Sequence, residues 1–166
     1  MAVVNLYGSR YMTDVANTTP PKKVPFDLQA GKVRYSFDTV EVGATDSANS
    51  TYKLARIPTS ARVLVGSKLY WDDLTTGAGT PTINLGFAAV DGNGADGASA
   101  LNDGLAVSAA GSANVVKDHA NGGKRVWEHI GLAKDPGGYA DVVVTLAAAG
   151  VDAAGTISLE LMFAGG

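Results

Sequence analysis

The residues that first invite a chemical reading are the acids and amides of "DGNGADGASALNDG", residues 91 to 104. A calcium loop of the EF-hand type wants oxygen ligands at positions one, three and five, glycine at six and glutamate at twelve. Asp91 and Asn93 stand at positions one and three, but Ala95, Asp96 and Asn102 occupy five, six and twelve. Nothing recurs as a nonapeptide calcium repeat would. Turn chemistry accounts for the composition instead, because Asp and Asn bond their own backbone and Gly tolerates positive φ. No metal is expected; Asp91, Asn93, Asp96 and Asp103 are the ligands a metal test would address.

Other groupings fare similarly. His119 falls in the turn "KDHANGG" and His129 beside Glu128 in "KRVWEHIGL", which reads as a strand. A hydrolytic reading would use His129 with a carboxylate such as Glu128 or Asp141, yet no G-x-S-x-G elbow is present to present a serine. Asp72 and Asp73 in "YWDDL" are neighbours on a strand, so they point to opposite faces and cannot act together as a glycosidase pair. Tyr70 and Trp71 beside them could form a stacking platform for sugar, with core packing as the plainer role. "GNGADG" has glycines spaced as in a dinucleotide fingerprint, but no strand-helix-strand unit surrounds it. No catalytic residue and no cofactor are expected.

The elements that would position these groups follow a period of two. "KVRYSF" sets Val33, Tyr35 and Phe37 on one face and "TVEV" sets Val40 and Val42 on the other parity. That switch predicts a bulge or bend near Asp38 and Thr39. "ARVLVGSKLYWDDL" is the longest run, with Val63, Val65, Leu69 and Trp71 in phase, and "TINLGF" alternates through Ile83, Leu85 and Phe87. Val142, Val144 and Leu146 form one face of "YADVVVTLA", and Ile157, Leu159, Leu161 and Phe163 one face of "TISLELMF". These last two read as a pair joined by a loose hairpin. "DPGG" has Pro136 and Gly137 in the order of a type II turn. Helical spacing is confined to Leu101–Leu105, interrupted by Gly104.

With roughly eight strands and no helix of crossover length, the chain is expected to be all-β, an antiparallel jelly-roll-like sandwich or barrel. Its 166 residues suffice to bury a core without staples, and with no cysteine there are none. The 21 glycines, far above the usual share of about 7%, suit many turns. A formal charge of −3 argues against direct nucleic-acid binding or attraction to an anionic bilayer. The longest apolar run, "VVVTLAAAGV", is about half the length a membrane helix needs, and "MAVVNLYGSRYM" lacks the form of a cleaved signal.

Residues 1–30 stand apart. "VANTTPPKKVPFDLQAG" holds Pro20, Pro21 and Pro25, which favour extended backbone, and reads as an N-terminal arm before a sandwich domain at 31–166. Its apolar residues would be wasted on a free tail. Leu6, Tyr7, Arg10, Tyr11, Lys22 and Lys23 are the candidate partner-binding residues.

The stretch "KLARIPTSARVLVGSKLYWDDLTTGAGTPTINLGFAAVDGNGADGASALNDGLAVSAAG", with the start "NLYGSRYMTDVAN", resembles virion structural proteins of tailed bacteriophages, of the head decoration or cement kind. The resemblance lies in "IP" before a long strand, "TINLG" leading into a loop rich in Asp and Gly, and "ALNDGL" before a small-residue segment. It implies a β-rich domain, often a homotrimer, made in the host cytoplasm. Such a domain sits on the capsid exterior at junctions of the major capsid protein, with an extended terminus reaching across neighbours. The alternative within virions is a tail- or fibre-associated adhesin that binds glycans through Tyr70, Trp71 and the loop at 91–104.

Overall fold

The computed structural model describes residues 32–77, 79–89, 97–118 and 120–165. Their elements are β1 (Val33–Val42), β2 (Thr51–Pro58), β3 (Arg62–Val63), β4 (Lys68–Trp71), β5 (Thr82–Ala89), β6 (Gly97–Ala106), β7 (Gly111–Asn114), α1 (Val126–His129), β8 (Tyr139–Ala147) and β9 (Gly155–Ala164). The strands build two antiparallel sheets. Sheet A runs β1-β9-β4-β7 with β3 also on β9, and sheet B runs β2-β8-β5-β6. The chain changes sheet at nearly every connection, only β3-β4 and β5-β6 staying within one, which is the winding of a jelly roll.

The alternating patterns become the two inner faces. Val142, Val144 and Leu146 from β8 meet Ile157, Leu159 and Leu161 from β9 in a shared core that also takes Leu69, Ile83 and Leu85. Burying each such side chain contributes about 1.5–3 kcal/mol. The expected hairpin between β8 and β9 is corrected: the two strands lie in different sheets and face each other across the core. Alternation marks the buried face of a strand but is silent on whether its neighbour lies beside it or opposite it.

Three further expectations change. β1 does not bend at Asp38, since its register with β9 is unbroken from Val33 opposite Ala164 to Val42 opposite Gly155. The long run at 61–74 divides into β3 and β4, because the Ser67 amide turns back to the Leu64 carbonyl. The Ser67 hydroxyl then takes over the ladder, donating to the Met162 carbonyl at 3.1 Å and accepting its amide at 2.9 Å. Residues 97–106 are strand β6 rather than loop or helical turn.

"KRVWEHIGL" likewise contains one helical turn, α1, and no strand. The amides of Val126 and Trp127 donate to the carbonyls of Ala61 and Thr59, and Glu128 accepts the Arg125 amide at 2.6 Å, closing the turn from the front. The turn at Asp135–Gly138 is as expected: Gly137 has φ 70°, the left-handed value a type II turn requires after proline.

Candidate interaction surface

Because β1 is straight, Val33, Tyr35 and Phe37 all point away from the core. They are 55%, 61% and 58% exposed, while Val42 at the far end of the strand, on the opposite parity, is buried. In this half of β1 the opposite parity is also open, since Arg34 and Asp38 are exposed and Ser36 is half-buried. The strand therefore extends past the core as a ledge with both faces accessible.

The ledge belongs to a wider apolar face. Tyr35 lies opposite Met162 in the β1-β9 ladder, Phe37 opposite Glu160, and Thr39 opposite Ser158, whose hydroxyl is 2.8 Å from that of Thr39. On the other side of β9, Lys68 pairs with Glu160 and Tyr70 with Ser158. Tyr70 is half exposed and donates its phenol proton to Glu160 at 3.3 Å. Its partial burial and the charge of Glu160 push the phenol pKa above its ordinary value. Val65, in the turn between β3 and β4, is also exposed. The outer face of sheet A thus presents Val33, Tyr35, Phe37 and Tyr70 around a small polar strip.

The outer face of sheet B is different. Asp141 is buried there and held by Arg56 at 2.6 and 3.2 Å and by Lys53 at 3.0 Å. The Arg56 hydrogen bond, joined by the Lys53 contact, keeps its carboxyl below the usual carboxylate range against the opposing effect of burial. A shallow hollow beside this cluster is lined by Thr51, Lys53, Phe87, Val143 and Thr145. One cation and two hydroxyls make no catalytic set.

The residues singled out from the sequence are dispersed. The arm residues Leu6, Tyr7, Arg10, Tyr11, Lys22 and Lys23 lie outside the described residues, as do Asp91, Asn93, Asp96 and His119. Asp103 forms an ion pair with Lys117, and Asn102 is buried with its amide donating to the Asn114 carbonyl at 2.8 Å. Among the described residues no three His, Asp or Glu side chains gather as a metal site. Asp72 accepts both the amide and the hydroxyl of Thr156 at 2.8 Å, and Asp73 accepts the Thr75 amide at 3.1 Å. Asp72 thus ties the end of β4 to the start of β9, and Asp73 anchors the turn that follows it.

The sugar platform loses one member: Trp71 is buried, its indole donating to the Ala109 carbonyl at 3.1 Å, so only Tyr70 faces outward. His129 closes the α1 turn with its ring 5.5 Å from that of Phe87. Burial and the charge of Lys124 depress its pKa below the ordinary value, outweighing Glu128 and the backbone at Asn121 and Ala100. Sequence reasoning missed the outward face of β1. The signal was available: a strand carrying apolar residues on both parities, with no Gly or Pro to bend it, is straight and has one apolar face to spare.

Two solved structures contain chains of similar fold. One, in the capsid of Ralstonia phage GP4, aligns with a TM-score of 0.58 at 20% identity, covering 92% of this chain and 96% of that one. The other, in the capsid asymmetric unit of cyanophage Pam1, aligns with a TM-score of 0.52 at 19% identity, covering 81% and 85%. The jelly roll is shared with both. No family model and no curated protein matches the sequence.

Proposed function

We propose that this chain is a non-enzymatic bacteriophage head decoration protein that binds the outer surface of the major capsid protein shell and stabilises it. The observation that carries the reading is the end-to-end likeness to a chain of the GP4 capsid, which supports a jelly-roll module of this size working within a virion. Fold alone does not dictate a job, since jelly rolls also serve as lectins and cupins. Here the outward apolar face of sheet A adds to it. Single exposed apolar residues are ordinary, but three in a row on one face of a strand, Val33, Tyr35 and Phe37, suit a protein-binding surface.

The physics of the role is mass action. A protein that binds only the assembled shell stabilises it in proportion to the logarithm of its concentration over the dissociation constant. Residues 1–30 serve as the arm of the complex, with Leu6, Tyr7 and Tyr11 supplying apolar contact and Arg10, Lys22 and Lys23 pairing with acidic groups on the shell. The glycan reading is weaker, because Trp71 is occupied in the core.

The test is retention on purified shells assembled from the major capsid protein of the same phage. The full chain is expected to co-sediment and to raise the temperature at which shells disrupt, and deletion of residues 2–25 to lower retention. Full-length protein left in the supernatant would overturn the reading. Undiminished retention of the deletion variant would remove the arm from it.

A further inference from the structure

We propose that a second copy of this chain pairs antiparallel along the open edge of β1, on a two-fold axis at Ser36, so that sheet A continues through both copies. β1 ends the strand order of sheet A, and among the described residues no strand lies beyond it. Its ten residues run without a register shift and without proline. A long, flat edge with apolar side chains is a template for another strand.

The residues along that edge specify the guest. Directly opposed residues of an antiparallel pair share a face. An axis at Ser36 sets Arg34 against Asp38 of the second copy, and Asp38 against its Arg34. It sets Tyr35 against Phe37 and Phe37 against Tyr35, with Val33 against Thr39 at the margins. The segment is complementary to its own reverse: cation, aromatic, small residue, aromatic, anion. Each contact occurs twice, as a two-fold interface demands.

Neighbouring registers lack this match. Centring on Phe37 sets Arg34 against Val40 and Ser36 against Asp38, and centring on Asp38 brings two carboxylates together. Centring on Tyr35 leaves Arg34 against Ser36 and draws on Lys32, outside the strand. The charges are also free to serve. Among the described residues neither Arg34 nor Asp38 takes part in an ion pair, and Asp38 accepts only the adjacent Thr39 amide at 2.8 Å.

Pairing would set Val33, Tyr35 and Phe37 of both copies side by side, doubling the apolar face of sheet A. A two-fold pair differs from the three-copy assembly that the family resemblance implies. The inference goes beyond the decoration reading and is measured with no shell present, so either can fail alone.

The experiment is the mass of the full chain in solution, followed over concentration by sedimentation equilibrium, with circular dichroism confirming the fold of each variant. The wild type is expected at twice the chain mass. R34E and D38R are each expected to raise the dissociation constant about tenfold, because each replaces two attractions by two repulsions. The combined R34E/D38R variant is expected to return it to the wild-type range. A wild type that stays monomeric at tens of micromolar overturns the proposal. So does a three-copy mass, single reversals without effect, or a double reversal that fails to restore pairing; in those cases the edge belongs to another partner.

Discussion

Gly86 stands in the middle of β5, and the backbone of β6 lies directly on it. A Cβ added there would sit 1.8 Å from the Gly97 carbonyl oxygen and 2.6 Å from the Ala98 carbonyl carbon. Both obstacles are main chain, so no side-chain rotation relieves them. Moving from 1.8 Å to the 3.4 Å of ordinary contact requires a retreat of about 1.6 Å by residues 97–98. That shift breaks the pairing of Phe87 with Gly97 and disturbs Gly97 where it already lies against the His129 carbonyl. Overpacking costs about 1–3 kcal/mol and each lost backbone hydrogen bond about 1 kcal/mol more, so Gly86→Ala is expected to destabilise by about 3 kcal/mol. For a domain of this length that is a fall of roughly 6–12 °C in Tm. Gly123→Ala is the control, since nothing lies within 4 Å of its Cβ position and its φ is not left-handed. Urea denaturation of the two variants beside the wild type decides the matter. A Gly86→Ala variant within 1 kcal/mol of the control would refute the close approach of β6 to β5.

Two further outcomes concern ionisation. His129 has a pKa depressed below 6.5, so as pH falls through that value the unfolded chain takes up a proton that the buried ring refuses. Stability is therefore expected to fall on the acid side of 6.5, by at most about 1.4 kcal/mol per pH unit, and urea midpoints at pH 7.5 and 5.5 should converge in His129→Gln if this ring is the cause. Asp141 has a pKa held below 3.8, so its contribution is present above that value and is lost as pH falls further, through the folded pKa. Asp141→Asn is expected to cost about 1–2 kcal/mol at pH 7, kept modest by the solvent exposure of Arg56 and Lys53; no loss at neutral pH would show that cluster to be inert.

Much of the architecture was legible in the chain because period-two alternation reports burial directly. Ile83, Leu85, Val142, Val144, Leu159 and Leu161 all face the core as their spacing requires. The jelly roll itself followed from many short strands without crossover helices. What alternation cannot carry is partnership. β8 and β9 are adjacent in sequence yet separated by the thickness of the core, since their connection crosses between sheets. "KRVWEHIGL" departs from strand for a different reason: the amides of Val126 and Trp127 are taken by the carbonyls of Ala61 and Thr59, two tertiary bonds that override local strand preference. Core packing, the plainer role for Tyr70 and Trp71, holds for one of them: strand parity buries the indole and turns Tyr70 outward. At β1 the error was to assume that every apolar face must look inward.

The position of β9 governs the order in which the molecule can be made. It is the hub of sheet A, paired with β1, β3 and β4, and it lies more than a hundred residues after the first of them. While a ribosome is still producing the intervening chain, β1 lacks the β9 partner it has in the finished fold. Such distant closure is slow. During that interval the ledge is a naked adhesive strip on every nascent chain, and crowding on one messenger places like strips side by side. Arrival of residues 155–164 supplies the partner of one flank and, among the described residues, leaves the other without a strand, so the moment at which β9 is made sets how long β1 stands alone.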